Sequence, residues 1–180
     1  MDTAIERDSN CFCCGKDNEK GLHLVFSYPT EGEAETTLLV PEYFSGWKRI
    51  THGGFLSMLL DEAMAHACLT DPRSVADQRS VADQSSADGS GSAGAADTAA
   101  APANATPAGA AGQADGSAVT GEITVRFLAP VETGTRVRVV GKVVQRKGRI
   151  LSTEGRVYDS KGAVAAQASA RFIAAKKPAP

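Results

Sequence analysis

Polar and apolar residues alternate along most of this 180-residue chain, and the alternation stops in two stretches. Leu22, Leu24 and Phe26 share one parity, and Ala34, Thr36, Leu38 and Val40 another, with a Pro29-Thr30-Glu31-Gly32 turn between them. Further on, Val119, Gly121, Ile123, Val125 and Phe127 alternate, then Val137, Val139, Gly141 and Val143. Residues 150–158 and then Val164, Ala166, Ala168, Ala170 and Phe172 complete the series. A period of two marks half-buried strands, and the turns at 130–134, 147–148 and 159–162 are short enough to join antiparallel neighbours. The first exception is residues 54–69, where apolar side chains occupy nearly every position: Phe55, Leu56, Met58, Leu59, Leu60, Ala63, Met64, Ala65, Ala67, Cys68 and Leu69. A helix that is apolar all round is buried. The pattern therefore predicts an α+β domain of about six strands, a curved antiparallel sheet wrapped around one long central helix.

The second exception is residues 71–118, which contain the hexapeptide duplication RSVADQ-RSVADQ followed by Ala, Gly, Ser, Asp, Thr and Pro. Such a composition buries too little surface to offset the entropy of ordering it. The expectation is a single domain made of 1–70 and 119–174, a disordered insertion at 71–118 and a flexible tail at 175–180.

The net charge of −2 argues against a general nucleic-acid binder, although it is unevenly spread. Residues 1–118 carry a net −10 and residues 119–180 a net +8, much of it on the polar face of the strand at 136–146. No apolar run approaches the roughly 20 residues of a membrane span, and the N-terminus lacks an apolar signal core. The expectation is a soluble, cytoplasmic protein without membrane or nucleic-acid partners. Cys11, Cys13 and Cys14 offer one pair of thiols, with His23 the nearest further donor. Structural zinc usually takes two separated pairs, so these cysteines, like Cys68, read as reduced structural thiols and no metal is expected.

The chemistry concentrates at HGGFLSMLLDEAM, residues 52–64. Two glycines at a helix start bare backbone N–H groups where the helix dipole favours negative charge, which is how an oxyanion hole is built. Asp61, an acid within so apolar a helix, suits a general base or nucleophile. Its neighbour Glu62 lies about 100° round the helix, placed to pair with His66 at i+4.

Three segments together, CFCCGKDNEKGLHLVF, HGGFLSMLLDEAM and AVTGEITVRFLAPV, resemble the hotdog-fold acyl-CoA thioesterases of the phenylacetate-degradation (PaaI-like) type, within the 4-hydroxybenzoyl-CoA thioesterase superfamily. The resemblance covers nearly the whole chain outside 71–118. It implies thioester hydrolysis without a separate cofactor, coenzyme A being part of the substrate. By position it implies that the Gly53 N–H polarises the carbonyl and that His52 holds that carbonyl or orients the site. Asp61 would activate water or attack, and Thr120 would position water or carboxylate. Gly54, Arg146, Lys147 and Arg149 would bind substrate, the last three at its nucleotide end. Thr120 has the parity opposite to Val119 and Gly121, so it reaches the site only if its strand lies at an edge.

Spacing adds an argument for a dimer. Eight residues separate Gly53 from Asp61, about 12 Å of helix, whereas a base acting through one water sits about 6–7 Å from the carbonyl. One protomer cannot bring both to one substrate; a two-fold interface can. The expected assembly is a homodimer, or a dimer of dimers. The alternative function is a non-catalytic acyl-CoA-binding or sensor module, since fold alone does not fix function. A hotdog dehydratase or hydratase fits less well, because those enzymes pair histidine and acid in a different motif.

Overall fold

The computed structural model of the chain describes residues 8–72 and 118–174. The expected disorder of the insertion and of the tail concerns residues that lie outside these, except for Asp71, Pro72 and Ala118, which are described. The elements are β1 (Glu33–Leu39), β2 (Ser45–Trp47), β3 (Ile50–Thr51), α1 (Gly53–Leu69), β4 (Ala118–Phe127), β5 (Arg136–Lys147), β6 (Ile150–Tyr158) and β7 (Val164–Ala174). Strands β1, β5, β6, β7 and β4 form, in that order, one antiparallel sheet, and β2 pairs with β3 in a small ribbon before the helix. The sheet curves around α1, as the alternation and the all-apolar segment predict.

The segment 22–26 departs from expectation. It is not a strand, and the sheet has five strands rather than six. His23 takes a left-handed backbone with φ of 50°, which ends any extended run. The Leu22 and Leu24 N–H groups donate to the carbonyls of Phe12 and Cys13, and only Ser27 bridges to Glu35 of β1. Leu24 and Phe26 are nevertheless buried, so the alternation reported burial correctly and backbone pairing wrongly.

The parity of β4 also changes. Thr120 pairs with Phe172 and Glu122 with Arg171, so Gly121 is an extra residue opposite a single step of β7. Such a bulge turns the side chains beyond it over. Ala118, Ile123 and Val125 pack against the core while Val119 is 66% exposed. Val119 therefore does not share a face with Ile123, and Thr120 lies on the helix side of the sheet.

The helix sits in a groove made of missing side chains. Ala34, Gly141, Gly155 and Ala168 are register partners across β1, β5, β6 and β7. A Cβ on Gly141 would fall 2.2 Å from the Ala63 carbonyl oxygen, and one on Gly155 would fall 3.0 Å from Leu60 Cδ2. The backbones of β5 and α1 thus meet directly, and Leu59, Leu60, Ala63, Met64, Ala67 and Cys68 of α1 are fully buried. At the far end of the helix, Asp71 is buried and its Oδ2 accepts a hydrogen bond of 2.6 Å from Arg146 Nη1, both side chains being 12% exposed.

Both packing features can be measured as stability. Gly141→Ala puts a methyl group into helix backbone, and overpacking of this kind costs about 3 kcal/mol or more. Its urea midpoint should fall far below that of Gly155→Ala, whose new methyl meets only flexible side-chain ends. Arg146→Met leaves the Asp71 carboxylate buried and unpaired, at a cost of about 3–5 kcal/mol. Pairing it with Asp71→Leu should restore most of the loss, whereas an Arg146 that acted only in binding would leave the midpoint unmoved.

Candidate active site

His52 caps α1. Its Nδ1 accepts a hydrogen bond of 2.9 Å from the Gly54 N–H, and its carbonyl accepts from Phe55. An imidazole nitrogen that accepts carries no proton, so the proton of a neutral His52 ring is on Nε2. Gly54 thus has its N–H occupied by the cap, which gives it a structural role at this position. The Gly53 N–H has no partner among the described residues. It stands at the helix N-terminus, where backbone donors and the helix dipole favour an oxyanion. A side chain at Gly53 would crowd this end of the cleft, because a Cβ would fall 3.1 Å from Cζ of Phe127 at the end of β4.

Beside Gly53 lies a cleft of about 360 Å³ lined by Thr51, Gly53, Leu56, Phe127, Leu128 and Pro130 among others. Its wall is mostly apolar. Thr51 Oγ1 is buried there without a hydrogen-bond partner among the described residues. Sequence reasoning missed this wall. Its signal was the FLAP segment at 127–130, which closes β4 and faces the helix start.

Asp61 lies two turns along α1, half-buried, and its Oδ1 accepts a hydrogen bond of 2.7 Å from Thr120 Oγ1. The bulge at Gly121 and the position of β4 at the sheet edge make this contact, which the simple parity of the strand would deny. Burial pushes the Asp61 carboxyl above its ordinary range; the Thr120 hydrogen bond opposes this and the Glu62 charge adds to it. Glu62 behaves in the opposite way. Burial would raise it, but hydrogen bonds from His66 and Cys14 outweigh that and hold it below the usual range. Two neighbouring carboxyls with such divergent surroundings divide naturally into one poised base and one fixed anion.

Glu62 belongs to a second polar cluster behind the helix. His66 Nε2 lies 3.2 Å from Glu62 Oε1 and Tyr28 Oη lies 2.9 Å from His66 Nδ1. The His66 ring stacks on Phe26 at 3.9 Å. The expected Glu62–His66 pair is present, whereas the contact of Glu62 with the N-terminal cysteines was not foreseen.

Within one protomer Gly53 and Asp61 remain apart, at the two-turn separation their spacing dictates. Of the basic hairpin residues, Arg146 is engaged by Asp71 and by the Gly148 carbonyl, while Lys147 and Arg149 are exposed. Trp47 is exposed on the β2–β3 ribbon, with the Lys48 ammonium 4.8 Å from its ring centre.

Residues 90–166 match the family model described as the thioesterase superfamily. No curated protein matches the chain. Among solved structures, a thioesterase superfamily protein aligns at 16% identity over 91% of this chain, with a TM-score of 0.62. The chain spans only 62% of the length of that protein. The Escherichia coli PaaI protein of the phenylacetic acid degradation operon aligns at 17% identity over 87% of this chain and 82% of its own, with a TM-score of 0.59. A Streptococcus mutans protein bound to acetyl-CoA aligns at 13% identity over 86% of this chain and 90% of its own, with a TM-score of 0.57. At these identities the likeness to solved structures is one of fold. That fold is the hotdog fold, and the match over 90–166 makes this part of the chain similar to the thioesterase superfamily.

Proposed function

We propose that the chain is an acyl-CoA thioesterase that works as a homodimer, each site taking Gly53 from one protomer and Asp61 from the other. The observation that carries this reading is the pairing of an unoccupied Gly53 N–H beside an apolar cleft with a proton-hungry Asp61 held by Thr120. The acyl group occupies the cleft, and its thioester carbonyl accepts from the Gly53 N–H. Asp61 takes a proton from water as that water attacks the carbonyl carbon. The negative charge then gathers on the carbonyl oxygen at the positive end of α1, where a fixed donor is worth most. Collapse breaks the C–S bond, and the proton on Asp61 goes to the departing coenzyme A thiolate. His52, through its bond to Gly54, positions the helix start without touching the reacting atoms. Lys147 and Arg149 are available for the phosphates of coenzyme A, whereas the ion pair with Asp71 already employs Arg146.

The dimer is supported by the edge of β4, whose outward backbone groups have no strand beside them among the described residues, and by the exposed Val119 and Phe127 on that strand. An unpaired edge is a ready template for a second copy. Thr120 and Asp61 lie next to that edge, where a partner would complete the site. The four cysteines are free thiols, the state that a reducing, cytoplasmic setting maintains. Among the described residues no helix is long and apolar enough to cross a membrane.

The test is hydrolysis of a panel of aromatic and aliphatic acyl-CoAs, with released thiol trapped chromogenically, beside Asp61→Asn. Turnover should fall about 10²–10⁴-fold in the variant, with acyl-CoA binding retained. The same variant should be more stable than the parent at neutral pH. A raised carboxyl contributes most below its unfolded value, and that contribution is lost as pH rises through the folded value, so the ionised Asp61 is a burden at pH 7. Binding without turnover on any ester by either protein would instead leave a sensor module.

Thr120→Val separates positioning from chemistry. Removing its hydrogen bond takes away the one contact that favours the ionised Asp61. The acid limb of the kcat/KM profile should therefore move to higher pH, and an unmoved limb would mean that Asp61 is not the titrating base.

A further inference from the structure

The first turn of the described chain folds its cysteines onto the helix. Cys11 and Cys14 are spaced as a Cys-x-x-Cys pair, and their Sγ atoms together with a Glu62 carboxylate oxygen all lie within 4.8 Å of one another. Tetrahedral zinc with bonds of about 2.3 Å to sulfur holds its ligand atoms about 3.7 Å apart. The three groups are thus already near coordination spacing. Along the sequence the nearest further donor is His23; in the fold a donor comes from α1, 51 residues along the chain from Cys11.

Two further observations point to a cation. The Cys13 N–H donates to Cys11 Sγ at 3.3 Å, the backbone-to-sulfur bond that stabilises a metal-bound thiolate. The loop winds tightly enough to make it because Gly15 lacks a side chain: a Cβ there would fall 2.4 Å from the Cys11 nitrogen. Glu62 is the second observation. Its side chain is 17% exposed, and its ion pair among the described residues is with His66 alone, whose ring is also bonded to Tyr28. A largely buried carboxylate thus faces two thiol sulfurs at close range. His66 then serves as the outer partner that orients the carboxylate.

We propose that Cys11, Cys14 and Glu62 bind one zinc ion through two thiolates and a carboxylate, with the fourth position taken by solvent. Two sulfurs and one oxygen suit zinc better than magnesium or calcium, which prefer all-oxygen sites. Binding converts two thiols to thiolates and releases two protons to solvent. The ion ties the N-terminal loop to α1 at the residue next to Asp61, on a different face of the helix from the thioester, so it orders the site without entering the chemistry. The inference holds whether or not the protein hydrolyses thioesters.

The full-length chain, purified under reducing conditions without chelator, should contain one zinc per protein. Stripped of metal, it should take up one equivalent of cobalt(II), with a near-ultraviolet sulfur-to-cobalt band, tetrahedral visible bands and the release of two protons. Zinc should displace the cobalt. Cys11→Ser and Cys14→Ser should each weaken cobalt binding more than tenfold and reduce the sulfur band, Glu62→Gln should weaken it about tenfold, and Cys68→Ser should leave it unchanged. If the folded parent chain gives no thiolate band with cobalt and contains no zinc, the site does not exist. If Glu62→Gln binds cobalt as the parent does, the carboxylate is not a ligand and the assignment fails.

Discussion

The direct contact between helix backbone and sheet backbone governs the rest of this molecule. Ala34, Gly141, Gly155 and Ala168 form one register row across four strands, and α1 lies in the trough they leave. Side chains normally hold packed layers apart, whereas here a Cβ of Gly141 would fall 2.2 Å from the Ala63 carbonyl oxygen. A helix so deep must bury almost its whole circumference, which explains why apolar residues surround it. It also explains why polar groups survive on it at only a few places. They are the N-terminal turn, whose N–H groups no helix can satisfy internally, Ser57, which bonds back to the Gly53 carbonyl, the Asp61–Glu62 pair, and His66 with its partners.

The two adjacent carboxyls show how a single buried element can supply opposite electrostatic roles. Successive residues on a helix point about 100° apart. Asp61 therefore turns to the β4 edge, where one hydroxyl is its hydrogen-bond partner and burial dominates. Glu62 turns to the N-terminal loop, where His66 and the thiols surround it. The same carboxylate pushes the Cys13 thiol up to about 12, with burial the larger cause.

Much of this was legible in the sequence because each inference depended on one periodicity or one local motif. The central helix came from a run with no polar face, and the long strands from strict alternation closed by glycine turns. The bare Gly53 N–H came from two glycines at a helix start. The failures share a cause, since each concerned a contact between distant segments. Leu22–Phe26 has strand periodicity, but its backbone partners are Phe12 and Cys13, and His23 breaks it. Arg146 looked like a free cation on a hairpin because Asp71 lies 75 residues away. That Cys11 and Cys14 lie against Glu62 was not visible, because Glu62 belongs to another element.

Thr120 shows why a long insertion before β4 need not disturb the strand after it. Its position depends on where β4 begins, not on how the chain arrives there. Ala118 pairs with Ala174 and Thr120 with Phe172, so the strand is in register from its first residue. The bulge at Gly121 then sets which way Thr120 faces, and Gly121 suits it because a Cβ there would crowd Ile173 at 3.2 Å. On the other side of the insertion, α1 is closed by Thr70, and Asp71 is fixed by Arg146. With both anchors set by contacts inside the domain, the length of chain between them enters only through loop-closure entropy, about 0.6 kcal/mol for each doubling. Against a register of nine paired residues in β4, that is a small cost. The connection between helix and strand is thus free to vary while the Asp61–Thr120 contact is kept.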